Sequence, residues 1–156
     1  MIRVLFVCLG NICRSPMAEA VFRDLVEKAG LANAIEVDSA GTGGWHVGNP
    51  PHEGTQKVLK EKGISTEGMR ARQIDSADSK TFHYIIAMDS DNVADMKKVF
   101  HKNDDVFIAR LLDFVKNNEV KDVPDPYYTG NFDEVFQLIE EGCQALLAYI
   151  RKTENI

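Results

Sequence analysis

The chain has 156 residues, 44% hydrophobic and 27% charged, a balance that fits one soluble folded domain and excludes a disordered segment. That length can bury a core without disulfides or metals, and no apolar run reaches the ~18 residues needed to cross a bilayer. A net charge of −6 disfavours nucleic acid and anionic membranes as partners, so any bound anion must be held by local groups. The three cysteines are scattered and form no disulfide framework. The first apolar run has no charged leader or small-residue cleavage site, so the expected location is the cytoplasm.

The first expected element is a strand over Ile2–Val7. It runs directly into Cys8-Leu9-Gly10-Asn11-Ile12-Cys13-Arg14-Ser15-Pro16. A glycine-containing loop ahead of a helix start can turn backbone N–H groups inward, and the helix N-terminus adds positive charge, which together make an anion site. The same field favours the thiolate of Cys8. Ser15 suits the helix N-cap and Pro16 its first position, without a capping box because Ala18 stands where Glu would. Met17, Ala20, Val21 and Leu25 then repeat at helical spacing. A nucleophile at the base of a phosphate-sized cradle points to phosphoryl transfer through a phosphocysteine. The plainer alternative is a core cysteine at a strand end.

A second strand is expected over Ile35–Val37. The next helix is capped by Asn49, with Pro50 and Pro51 in its first turn and Gly63 past its end. Strands over Tyr84–Ala87 and Val106–Ile108 follow, separated by helical stretches, and this alternation predicts a parallel sheet covered on both faces. Ligands of such sheets bind beyond the carboxyl ends of the strands, where Cys8, Ser39 and Asp89 all fall. Pro124-Asp125-Pro126 holds a carboxylate on a stiff segment, which reads equally as a general acid or as a turn. The last helix begins near Asn131, with Glu134 placed to reach back, and buries Phe136, Ile139, Cys143, Leu146 and Ile150. Lys97-Lys98 and the Arg70/Arg72 pair read as solvated faces. His46, His52, His83 and His101 show no ligand-type pairing, so no metal and no cofactor are expected.

The segment from Val7 to Glu19 resembles the active-site signature of the low-molecular-weight protein tyrosine phosphatases, in their bacterial form. The likeness continues through Asp38-Ser39-Ala40-Gly41-Thr42-Gly43-Gly44-Trp45, Pro50-Pro51-His52-Glu53-Gly54, Ala71-Arg72-Gln73, Ala87-Met88-Asp89 and Val123-Pro124-Asp125-Pro126-Tyr127-Tyr128. The resemblance implies one domain over residues 1–156: a four-stranded parallel α/β sheet with helices on both faces and a phosphate-binding loop after the first strand. It implies hydrolysis of phosphotyrosine and small aryl phosphates, with Cys8 as nucleophile, Arg14 binding the phosphate and Asp125 as general acid, then base. Leu9, Gly10, Asn11, Ile12, Cys13, Ser15 and Ser39 would form or brace the loop, and Trp45, Tyr127 and Tyr128 would make an aromatic lip. Cys13 matches a position that protects the nucleophile by forming a disulfide with it. The implied partners are phosphotyrosine-containing proteins, with inorganic phosphate and other oxyanions as product or inhibitors, and the enzyme is expected to be a monomer.

One departure is visible. Met69 stands where many members have a histidine, which belongs to a hydrogen-bond network with residues matching Ser39 and Asp89. Three other readings are weaker. An arsenate reductase would need relay cysteines where Ala87, Met88 and Asp89 stand. Phosphoarginine specificity would call for a small polar residue in place of Ile12. A binding module would need neither a nucleophile nor an acid.

Overall fold

The computed structural model describes all 156 residues. Its elements are β1 (Ile2–Cys8), α1 (Arg14–Lys28), β2 (Ile35–Gly41), α2 (Glu53–Glu61), α3 (Asp78–Thr81), β3 (Tyr84–Ala87), α4 (Ser90–Val99), β4 (Phe107–Arg110), a 3₁₀ turn (Leu111–Phe114), α5 (Pro126–Thr129) and α6 (Phe132–Glu154). The four strands are all parallel, in the order β2-β1-β3-β4. This is the expected single-domain α/β sheet.

Because β1 is central, both of its faces are covered and Val4 to Val7 are fully buried, which explains the unbroken apolar run. Alternate residues point to opposite faces. Val4, Phe6 and Cys8 join the larger core with Met17 and Phe22 of α1 and Ile139, Cys143 and Leu146 of α6. Leu5 and Val7 join the smaller core with Met96 and Phe100 at the α4 side. Phe6 and Phe22 meet edge to face at 5.4 Å, and burying each contributes roughly 1.5–3 kcal/mol. The long α6 buries all five residues of its expected stripe. No helix is long and apolar enough to cross a membrane.

Several boundaries differ from expectation. β2 continues to Gly41, paired with Cys8, and β4 begins at Phe107 and extends to Arg110. Helix α1 starts at Arg14, so Ser15 lies inside it and is not its cap. The Ser15 hydroxyl is instead taken up by Cys8 and Asn11. Helix α2 is capped by His52, whose Nδ1 accepts the Gly54 N–H at 3.0 Å, and not by Asn49. Both Asn49 and Pro50 precede a proline, which biases them away from helical geometry and delays the helix start. Gly63, at φ 73°, follows the α2 cap as expected. Glu134 does reach back, but to the side chain of Asn131 at 2.9 Å. Arg72 is no solvated charge: it is half-buried and pairs with Asp38 at 3.2 Å and Asp78 at 3.1 Å.

Candidate active site

The order β2-β1-β3-β4 reverses direction between β1 and β3, the place where such sheets bind ligands. The loop after β1 sits there, and its shape is set by Asn11, which adopts a left-handed φ of 57°. The Asn11 side chain holds that turn with all its polar atoms. Oδ1 accepts the Arg72 N–H at 3.0 Å, while Nδ2 donates to Ser15 Oγ at 2.7 Å and to Ser39 Oγ at 3.0 Å. Ser39 Oγ in turn donates to Glu19 Oε1 at 2.6 Å, and the other Glu19 oxygen accepts from Arg23.

The loop carbonyls are turned outward onto the scaffold. Cys8 O and Leu9 O accept from Thr42 and Gly43 at 2.9 and 2.8 Å, and Ile12 O accepts from His52 at 2.8 Å. The N–H groups of Leu9, Gly10, Ile12, Cys13 and Arg14 make no hydrogen bond within the protein. Five free donors around one turn at a helix N-terminus form an anion cradle. Close approach of β2 to this loop requires Gly41, where a Cβ would lie 3.0 Å from Gly10 C and Leu9 O.

Cys8 lies at the floor and is 3% exposed. Its sulfur accepts the Asn11 N–H at 3.3 Å and lies 3.0 Å from Ser15 Oγ. Since Ser15 Oγ already accepts from Asn11, its proton is free to point at the sulfur. Arg14, 2% exposed, donates to Asp89 Oδ2 at 2.5 Å and to Val123 O at 2.9 Å, and approaches Asp125 Oδ2 at 3.4 Å. Its Nε is buried without a hydrogen-bond partner, so one arm of the planar fork is left free to donate. Burial alone would lower the Arg14 pKa, but the charges of Cys8, Asp125 and Asp89 and the bond to Asp89 outweigh it and raise it. Asp89 is itself fixed as the cap of α4 by a reciprocal pair of bonds with Asn92. Burial, then the nearby charges of Cys8 and Asp125, push the Cys13 thiol up to about 12.

Above the floor lies a cleft of about 350 Å³. Cys8, Leu9, Gly10, Ile12 and Cys13 form its base, and Trp45, His46, Tyr127 and Tyr128 its walls. Trp45 and Tyr128 are 72% and 74% exposed, so they stand at the rim. Asp125 also lines the cleft. It caps α5, with Oδ1 accepting the Tyr127 N–H at 3.1 Å.

The structure thus gathers Cys8, the loop residues, Asp125 and the three aromatics around one cleft, with Arg14 beneath the loop and Ser39 behind it. Sequence reasoning passed over His46, although it directly follows Trp45, and Glu19, whose partners lie far along the chain. With Met69 in the histidine position, Ser39 and Asp89 share no network. Ser39 bonds Asn11 and Glu19, whereas Asp89 bonds Arg14, and the two groups are separate. Met69 borders the crevice beside Asn11, Glu19 and Ser39 and contributes no hydrogen bond from its side chain.

This sheet and its anion-binding turn define a phosphatase class, and comparison with known proteins agrees. Residues 3–155 match the family described as low molecular weight phosphotyrosine protein phosphatase. The low molecular weight protein-tyrosine-phosphatase YfkJ of Bacillus subtilis is 58% identical over the full length of both chains. PtpA of Staphylococcus epidermidis, of the same description, is 47% identical over all of this chain and 98% of its own. The crystal structure of YfkJ from Bacillus subtilis superposes with a TM-score of 0.96 at 59% identity, covering 98% of this chain and 96% of that one. The chain belongs to the low molecular weight phosphotyrosine protein phosphatase family and is a protein-tyrosine phosphatase.

Proposed function

We propose that this enzyme removes phosphate from phosphotyrosine in proteins, and from small aryl phosphates, in two steps through a phosphocysteine on Cys8. The observation that carries the reading is the Cys8 sulfur at the floor of a turn with five free amides, with the unpartnered Arg14 Nε buried beneath the loop and Asp125 lining the same cleft. In the first step the Cys8 thiolate attacks phosphorus and the bond to the phenolic oxygen breaks. Protonated Asp125 gives that oxygen its proton. The loop amides and Arg14 hold the three equatorial oxygens as charge spreads over them. In the second step the Asp125 carboxylate takes a proton from water, the water oxygen attacks phosphorus, and inorganic phosphate leaves as the thiolate returns. The hydroxyl of Ser15 stabilises that thiolate as a leaving group.

Specificity follows from depth. The nucleophile is buried while Trp45 and Tyr128 stand exposed at the rim, so a phenyl ring spans the aromatic walls. Phosphoserine is too short to reach the floor while its main chain stays outside. Inorganic phosphate and other oxyanions act as product and inhibitors. A monomer is the expected working form, since catalysis needs no residue beyond those of one chain, and three free cysteines suit a reducing cytoplasm.

The test is turnover by wild type and Cys8→Ser on phosphotyrosine, phosphoserine and phosphoarginine peptides. Wild type should prefer phosphotyrosine, and Cys8→Ser should lose turnover while still binding inorganic phosphate, since the cradle and Arg14 remain. Substantial hydrolysis by Cys8→Ser would end the phosphocysteine mechanism. Comparable efficiency on phosphoserine or phosphoarginine would end the specificity argument.

A further inference from the structure

Asp125 lies at the end of a short segment that begins three residues earlier with Asp122, and that segment is fastened from both sides. On the inner side, the Val123 N–H donates to Met88 O at 2.9 Å and Val123 O accepts from Arg14 at 2.9 Å. On the outer side, Asp122 Oδ1 gathers three donors: the Ser90 N–H at 3.1 Å, Ser90 Oγ at 3.0 Å and Arg110 Nη1 at 3.2 Å. Arg110 Nη1 also donates to Ser90 Oγ at 3.0 Å. Arg110 is held in place by Asp113, whose Oδ1 lies 3.1 Å from Nη2 and whose Oδ2 accepts the Arg110 N–H at 3.0 Å. One carboxylate thereby ties the first residue of α4 to the last residue of β4, at the carboxyl ends of adjacent strands.

An isolated exposed ion pair contributes only ~0–1 kcal/mol. Three donors from two rigid elements fix direction as well as distance, and direction is what an acid on a short loop needs. We propose that Asp122, Ser90 and Arg110 are positioning residues that act through Asp125, pinning its segment from outside while Arg14 holds it from inside. This rests on the reading of Asp125 as general acid. Proton transfer to the leaving group is sensitive to placement, and an error of ~1 Å costs up to ~10²-fold.

The experiment compares kcat/KM on phenyl phosphate, whose leaving group needs a proton, and on p-nitrophenyl phosphate, whose leaving group does not. Asp122→Ala should lower the first about tenfold or more and the second less than about twofold, because only the acid has drifted. Ser90→Ala and Arg110→Gln should move the same ratio in the same direction by less. Asp122→Asn keeps an acceptor for Ser90 and should restore most of the loss. In an Asp125→Ala background, Asp122→Ala should add nothing to the ratio. Equal losses on both substrates in Asp122→Ala, or an unchanged further loss in the Asp125→Ala background, would overturn the clamp. Asp125→Ala alone separates the two ideas. Uniform losses in that variant remove the acid itself, whereas selective losses there with none in Asp122→Ala leave the acid standing and remove only the clamp.

Discussion

Three cysteines in one small chain face three different fates, and the surrounding residues decide each. Cys143 lies in the core between α1 and α6, where burial pushes its thiol up strongly. Cys13 shares the cleft floor with Cys8, yet burial and the charges of Cys8 and Asp125 raise it to about 12. Near neutral pH, iodoacetamide should therefore alkylate Cys8 first, with Cys13 and Cys143 unlabelled by peptide mass spectrometry. In the protection expected from the position of Cys13, peroxide would take two electrons from the Cys8 thiolate to give the sulfenic acid, and the Cys13 sulfur would then attack it, forming a disulfide and releasing water. Inactivation by mild peroxide should be reversed by dithiothreitol and slowed by bound phosphate, and Cys13→Ser should recover poorly. Recovery of Cys8 only as sulfinic or sulfonic acid, with Cys13 free, would count against this protection.

At the scale of elements, what could be read in advance depended on how local the cause was. Strand β1, its abrupt turn and the Gly63 stop were legible because neighbouring residues set them. Ser15 reads as a helix cap because a hydroxyl at a helix start has that use most often, and nothing nearby in sequence reveals that Asn11 and Cys8 claim it first. Glu19 and Asp89 were harder still, since their partners Ser39 and Arg14 lie 20 and 75 positions away. The consecutive prolines displaced the α2 cap by three residues, and His52 became both that cap and a tether on Ile12 O. Gly41 shows the same dependence on contact, since its need for a missing side chain arises only where β2 meets the loop. Gly41→Ala should force the strand end and the loop apart, costing roughly 1–3 kcal/mol of stability. Inhibition by inorganic phosphate should weaken in parallel, because the amides no longer converge. An unchanged inhibition constant would show that the loop holds its shape without this contact.

For the whole molecule, the anion site is where the fold is fastened together. Asn11 joins the loop to α1, to β2 and to Arg72, while Arg14 joins α1 to the end of β3 and to the segment carrying Asp125. The overall charge of −6 offers no attraction to phosphate, so the proposed binding would have to come from this local cradle. A ligand held by so many elements binds only the folded state, and linkage then stabilises the fold by ~2.7 kcal/mol at a hundredfold excess over Kd. For a chain of this size that is a rise in Tm of roughly 5–10 °C. Vanadate can engage the Cys8 sulfur directly, so inorganic phosphate is the cleaner probe, and Cys8→Ser should show nearly the wild-type rise. Arg14→Lys should show a much smaller one, because an ammonium replaces the planar fork and cannot present both the Nε arm and the bonds to Asp89 and Val123. Differential scanning calorimetry with and without phosphate would measure all three proteins on one scale. Equal shifts in Arg14→Lys and wild type would mean that the amides alone bind the anion and that the buried arginine serves only the fold.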